Sequence, residues 1–132
     1  MQVSASIQSS YNYQQVIVGT NDSMKEIQIA PKLSGYGSSI NGGELLMLAL
    51  ATCYCNDLYR EAAKKNLIIK GLEVVCSGMF ASEGEAGSDF SYKVKILSDA
   101  SQEEIEELLK HTDTVAEVHN SIRKGLEVKL VL

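Results

Sequence analysis

The sequence is poor in residues that support metal or disulfide chemistry. It has three cysteines and two histidines among 132 residues, and it contains no CxxC pair. The histidines and scattered cysteines lack the spacing of a zinc site. An odd number of cysteines without a secretory signal argues against a disulfide framework. We therefore expect no metal, no cofactor and a location in the reducing cytoplasm.

Tryptophan is absent, proline occurs once, and positive charge is scarce. Twelve basic side chains stand against 17 acidic ones, for a net charge of −5. This balance gives no general attraction to a phosphate backbone, so nucleic acid is not an expected partner. The longest apolar run, residues 45–55, is shorter than the roughly 20 residues of a membrane span. The sequence therefore predicts no membrane partner and one globular domain over residues 1–132.

Two kinds of apolar periodicity are present. Alternation predicts strands, and helical spacing predicts helices. The strands are expected over 2–8, 11–18, 25–30, 68–81, 90–97 and 126–132, and the helices over 41–66, 101–111 and 113–125. The order βββ-α-ββ-αα-β is typical of an α+β fold.

The long helix has a capped start and two different halves. Asn41 followed by Glu44 is the pattern of a capping box. The first half is hydrophobic all round and is predicted to be buried on every side. The second half is amphipathic and is predicted to emerge into solvent. One small sheet can hardly cover the first half, so we expect a homodimer that wraps two such helices between two sheets.

The helix carries two cysteines, Cys53 and Cys55, whose side chains diverge by roughly 200° and cannot pair. Free cysteine is among the most buried residue types, and core packing is the expected role of Cys55 and Cys76. For Cys53 two interpretations stay open at this point. It is either a small hydrophobic residue of the core or a nucleophile in a pocket from which water is excluded.

Three segments resemble the OsmC/Ohr family of thiol-dependent hydroperoxide reductases. "NGGELLMLALATC" (41–53) resembles the family pattern at the reactive cysteine, and residues 54–80 resemble the rest of the central helix and the strand after it. "AEVHNSIRKGLEVKLVL" (116–132) resembles the segment around the family's second cysteine. The resemblance implies an intertwined two-sheet dimer in which Cys53 is the peroxidatic thiol. An organic hydroperoxide and an external thiol reductant are the partners that it implies.

The chain departs from the family pattern at three positions. Gly43 stands where the family has its first glutamate, and Ala116 stands where it has the resolving cysteine. The family also uses an arginine from its N-terminal strands, but Arg60 is the first arginine of this chain. Because burial raises the pKa of an unassisted thiol, a divergent member with weak activity is expected.

His119 is the candidate pocket residue, because it lies in the segment that approaches the thiol in the family. It would serve as a proton acceptor or a cation, and the alternative is a solvent-facing residue of a short helix.

Three functions remain from these observations. They are a one-cysteine hydroperoxide reductase, a non-catalytic dimer that binds a small lipophilic or thiol-reactive ligand, and a structural dimer in which Cys53 only packs.

Overall fold

The computed structural model describes residues 1–132 as eight elements in an α+β arrangement. The bounds are β1 Val3–Ser10, β2 Tyr13–Thr20, β3 Ser23–Ile27, α1 Gly42–Lys64, β4 Gly71–Met79, β5 Ser88–Leu97, α2 Gln102–Val115 and α3 Glu117–Lys124. The strands form a three-stranded antiparallel sheet, β1-β2-β3, and a two-stranded one, β4-β5. The predicted fold class is confirmed.

By internal contacts the chain divides into two compact units, Met1–Leu45 and Leu46–Leu132. In the first unit β2 pairs with β1 through Ile7↔Val16 and with β3 through Val16↔Ile27. The prediction of a single domain over residues 1–132 stays a prediction.

The second unit holds a core between α1, the β4-β5 hairpin, α2 and α3. Its fully buried apolar residues are Tyr54, Leu58, Ala62, Leu108 and Ala116. The predicted alternation of the hairpin is confirmed, because alternate β4 and β5 side chains pack on this cluster: Leu72, Val74, Tyr92, Val94 and Ile96. Antiparallel pairing sets Val74 against Val94 and Cys76 against Tyr92.

The helix α1 starts as the sequence predicts. The Glu44 backbone N–H donates to Asn41 Oδ1 at 2.9 Å, and the Asn41 N–H donates to Glu44 Oε2 at 2.8 Å. These two bonds form a reciprocal capping box, which satisfies two backbone N–H groups near the start of the helix. Glu44 is therefore a capping residue, as its spacing from Asn41 indicates.

The burial of α1 within one chain differs from the sequence expectation in its first half. In the first half, Leu45 is 38% exposed and Leu48 is 60% exposed. In the second half, Asp57, Leu58, Glu61 and Ala62 are buried. The second half is amphipathic as predicted, with Tyr59 45% exposed on its outer face. Its packed face nevertheless takes in acidic side chains, because ion pairs compensate their charges.

Two other boundaries differ from the prediction. The helix α2 continues to Val115 and α3 begins only at Glu117, whereas a helix over 113–125 was expected. The C-terminal segment 126–132 forms no strand, so the last element of the predicted order is absent from the single chain. A strand needs a neighbour for its backbone hydrogen bonds, and this segment has none here. No helix is long and apolar enough to cross a membrane.

Candidate active site

The thiol of Cys53 lies on the half-buried side of α1, against the core of the second unit. Its Sγ donates a hydrogen bond to Asp57 Oδ2 at 3.4 Å. Residues four apart on a helix share a face, so the spacing of the two residues produces this contact directly. The structure thus gives Cys53 a polar partner that the motif comparison did not indicate.

The start of α3 also acts on Cys53. The backbone of Val118 lies near the sulfur and lowers the pKa of the thiol. The residue before this helix, Ala116, has no side chain that could cap it. The N–H groups of the first turn therefore have no side-chain cap, and together with the helix dipole they favour negative charge nearby.

The carboxylate of Asp57 belongs to an ion-pair cluster between α1 and α3. Arg60 Nη1 lies 2.8 Å from Asp57 Oδ1 and 3.4 Å from Glu117 Oε1. Arg60 Nε also donates to Glu61 Oε1 at 2.8 Å. Arg60, the first arginine of the sequence, therefore lies at the site, where its contacts are to these carboxylates.

These surroundings keep Cys53 protonated. Burial is the largest cause that raises the pKa of the Cys53 thiol, and the hydrogen bond to Asp57 and the charges of Asp57 and Glu117 add to it. The Val118 backbone opposes the rise only in part. Burial also raises the pKa of Asp57, whereas the Cys53 hydrogen bond and Arg60 lower it. In this contact the thiol is the donor and Asp57 Oδ2 is the acceptor.

Cys53, Asp57 and Glu117 place three metal-type ligand atoms within 4.8 Å of one another. The guanidinium of Arg60 is already paired with both carboxylates. A cation between the three groups would have to displace this arginine. We assign no metal to the cluster.

His119 is buried, so the alternative of a solvent-facing residue is wrong. It is 4% exposed and lies against the rings of Tyr54 and Tyr92, with centroids 5.6 and 4.8 Å away. Neither ring nitrogen has a hydrogen-bond partner. Burial, with the charge of Arg123, lowers the pKa of His119, and this favours the neutral imidazole.

His119 also lines a small cavity beside the site. The cavity has a volume of about 100 Å³ and is lined by Leu50, Phe90, Ser91, Tyr92, His119, Ile122 and Arg123. Arg123 pairs with Asp113 at 2.6 Å, and the Tyr92 hydroxyl donates to the same carboxylate. The cavity is mainly apolar, and its charged group already has a partner.

The other two cysteines lie apart from these groups. All three thiols are free. Cys55 lines a shallow surface with Leu72 and Val74, and Cys76 faces the core side of β4. Burial raises the pKa of Cys76, and no charged partner acts on it. These surroundings agree with the packing role expected from the sequence.

Sequence reasoning missed Asp57, Arg60 and Glu117. The spacing Cys-x-x-x-Asp on a helix, with arginine three residues further on, was the available signal for the first two. Glu117 joins them only through the packing of α3 on α1, which no local spacing reveals.

Fold and site together define a class, that of small α+β proteins with a thiol on a central helix. The sequence model of the family described as "OsmC-like protein" matches residues 35–131. The chain belongs to the OsmC-like family. A search of curated proteins finds no match.

Solved structures agree in fold at low sequence identity. An OsmC-like protein from Mycoplasma pneumoniae superposes with a TM-score of 0.67 and 17% identity, over 94% of this chain and 87% of that one. An organic hydroperoxide resistance protein from Elizabethkingia anophelis gives 0.64 and 18%, over 98% and 94%. One described as a putative organic hydroperoxide resistance protein, from Vibrio cholerae, gives 0.62 and 21%, over 98% and 89%.

Proposed function

We propose that this chain reduces organic hydroperoxides with Cys53 as its only reacting thiol. The observation that carries the proposal is the position of the Cys53 sulfur, a free and half-buried thiol whose Sγ lies 3.4 Å from Asp57 Oδ2. A partly accessible thiol with a polar partner can attack an O–O bond once its proton is removed. The names of the structural relatives support the same substrate class.

The reaction ends with a sulfenic acid on Cys53, which needs an outside thiol. Ala116 occupies the position of the family's resolving cysteine, so the chain has no second thiol there. An external dithiol forms a mixed disulfide with Cys53 and then releases it as the thiol. Because burial keeps the pKa of Cys53 high, we expect weak turnover at neutral pH.

The exposed apolar half of α1 supports a homodimer as the working form. Leu45 and Leu48 lie on the surface of the single chain, and so do the alternating apolar residues of 126–132. Contiguous exposed apolar surface marks an interaction site, and an unpaired strand-like segment needs a sheet edge. A second copy supplies both kinds of surface, as in the dimer that the family resemblance implies.

The cavity beside His119 supports a second candidate function, which is the binding of a small lipophilic or thiol-reactive ligand without catalysis. The cavity is of a size for a few heavy atoms, and its walls are mainly aromatic and aliphatic. In that case Cys53 does not react with peroxide, and the protein binds its ligand beside an unreacted thiol.

The test compares wild type, Cys53→Ser and Cys55→Ser in the consumption of cumene hydroperoxide with a dithiol present. We expect Cys53→Ser to lose turnover, whereas Cys55→Ser, changed two residues away on the same helix, retains it. Intact mass after peroxide alone is expected to show one added oxygen on wild type and Cys55→Ser. Equal consumption by all three proteins would overturn the reductase function and favour ligand binding.

A further inference from the structure

The partner of the Cys53 sulfur is an acceptor of protons. Asp57 Oδ2 receives the Cys53 S–H at 3.4 Å, and Asp57 is only 5% exposed. A buried carboxylate needs compensation, and Arg60 provides it at 2.8 Å from the other oxygen, Oδ1. The two oxygens thus have different neighbours, because Oδ1 is held by a cation and Oδ2 faces the thiol.

This arrangement does not stabilise a thiolate in the resting protein. The Asp57 hydrogen bond and charge raise the pKa of Cys53, and the nearby charge of Glu117 raises it further. A resting thiol needs a base at the moment of attack, since the thiolate is the reacting form. The only side chain that accepts a hydrogen bond from Sγ is Asp57.

We propose that Asp57 is the acid–base catalyst of Cys53. Its Oδ2 takes the proton of the thiol as Sγ attacks the terminal oxygen of the hydroperoxide. The S–O bond forms while the O–O bond breaks, and the electron pair of that bond leaves on the alkoxide oxygen. Asp57 then returns its proton to the alkoxide, which departs as the alcohol.

The step balances without a further reagent. Sulfur is oxidised by two electrons to the sulfenic acid, and the peroxide is reduced to the alcohol. Asp57 ends in the carboxylate form in which it began, ready for the next cycle. The inference rests on the proposed reductase function and assigns its proton transfers to a residue in contact with the reacting sulfur.

Two reactions of the same thiol separate this role from a structural one. Peroxide reduction needs a proton for the leaving alkoxide, whereas alkylation by iodoacetamide releases iodide and needs none. With Asp57→Asn we expect the second-order rate with cumene hydroperoxide to fall about 100-fold. Alkylation of Cys53 at pH 7 is expected to rise about threefold. Loss of the carboxylate lowers the pKa of the thiol, although the resulting thiolate is less nucleophilic.

The pH profile gives a third readout. The charged or titratable groups that face Asp57 are Cys53 and Arg60 on α1, and Glu117 and His119 on α3. In wild type the peroxide rate is expected to rise with ionisation of a carboxyl whose pKa lies above the usual 3.8 and then to stay level through neutral pH. In Asp57→Asn this acid limb is expected to vanish, and the rate should rise only as the thiol itself ionises.

Two further variants control for misfolding. Asp99→Asn makes the same substitution at an exposed carboxylate, which pairs with Lys70 and has no contact with Cys53. We expect it to keep the wild-type peroxide and alkylation rates. Asp57→Glu retains a carboxylate and is expected to recover at least a tenth of the peroxide rate with the acid limb present. If Asp57→Asn does not fold, the peroxide rate and pH profile of Asp57→Glu decide whether Asp57 is the acid–base catalyst.

The possible failures are distinguishable. If Asp57→Asn reduces peroxide as fast as wild type, or if its peroxide and alkylation rates fall together, the acid–base role is overturned while the reductase function stands. If Cys53→Ser consumes peroxide like wild type and no oxygen is added to Cys53, the proposed function fails, and the role of Asp57 fails with it.

Discussion

The two halves of α1 bury residues that composition alone does not predict. The amino-terminal half is apolar but leaves Leu48 60% exposed, whereas the carboxyl-terminal half carries Asp57 and Glu61 into the interior. The difference shows that burial follows partners rather than hydropathy. The acidic residues have cations within reach, whereas Leu48 has no polar group that needs a partner and stays exposed in the single chain.

The first way to test this contrast is to place a charge on the exposed apolar half. If a second copy covers Leu48, Leu48→Glu removes about 1.5–3 kcal/mol of burial from each of two chains. The dimer dissociation constant should then rise roughly 10²- to 10⁴-fold, as measured by sedimentation or light scattering across concentration.

Ala63→Glu, on the exposed side of the other half, is the control and should leave the dissociation constant unchanged. A wild-type mass of one chain at all concentrations would remove the dimer from the proposal.

The second test targets the buried half through Leu58, which has no exposed surface. Leu58→Ala leaves a cavity in the core around Tyr54 and Leu108 and should lower the free energy of unfolding by about 2–5 kcal/mol. Tyr59→Ala, on the outer side of the same turn, should cost less than about 1 kcal/mol. Urea unfolding followed by circular dichroism measures both, and equal losses would contradict the assigned burial.

The third test uses the charge of Glu61. Its carboxylate contacts Lys64 and Arg60 at 2.8 Å and His111 at 3.0 Å, and these contacts lower its pKa from 4.5 to about 2. A depressed carboxyl pKa stabilises the fold above the unfolded value, and this stabilisation is lost as the pH falls from about 4.5 through about 2.

Urea midpoints of wild type and Glu61→Gln should therefore differ at pH 7 and converge toward pH 2. A difference that does not change with pH would show that the ion pairs of Glu61 do not stabilise the folded state.

The smallest expected effect concerns the start of the apolar half. Asn41→Ala removes the acceptor for the Glu44 N–H and should lower the free energy of unfolding by about 1 kcal/mol. Ser101→Ala disrupts the matching capping box of α2, where the Glu104 N–H donates to the serine hydroxyl, and should cost a similar amount. No loss for Asn41→Ala alone would mean that other contacts hold the start of α1.

Local patterns were sufficient for most of the fold. Alternation located the strands and the inward side chains of β4 and β5, and the Asn41–Glu44 spacing located the helix start. The errors arose where a neighbour decides the outcome. Residues 126–132 alternate like a strand, but a strand forms only beside another strand. Residues 113–115 were assigned to the next helix instead of to α2, because their apolar spacing continues into that helix.

The sequence by itself determined the α+β class, the capped central helix and the position of Cys53 on it, because each depends on spacing within one segment. The tertiary structure alone decided the surroundings of that thiol. Folding α3 onto α1 brings the backbone of Val118 near the sulfur and Glu117 to Arg60, across more than fifty residues of chain. It also buries His119 between two tyrosines. Such contacts depend on how elements pack, and no periodicity within a single segment encodes them.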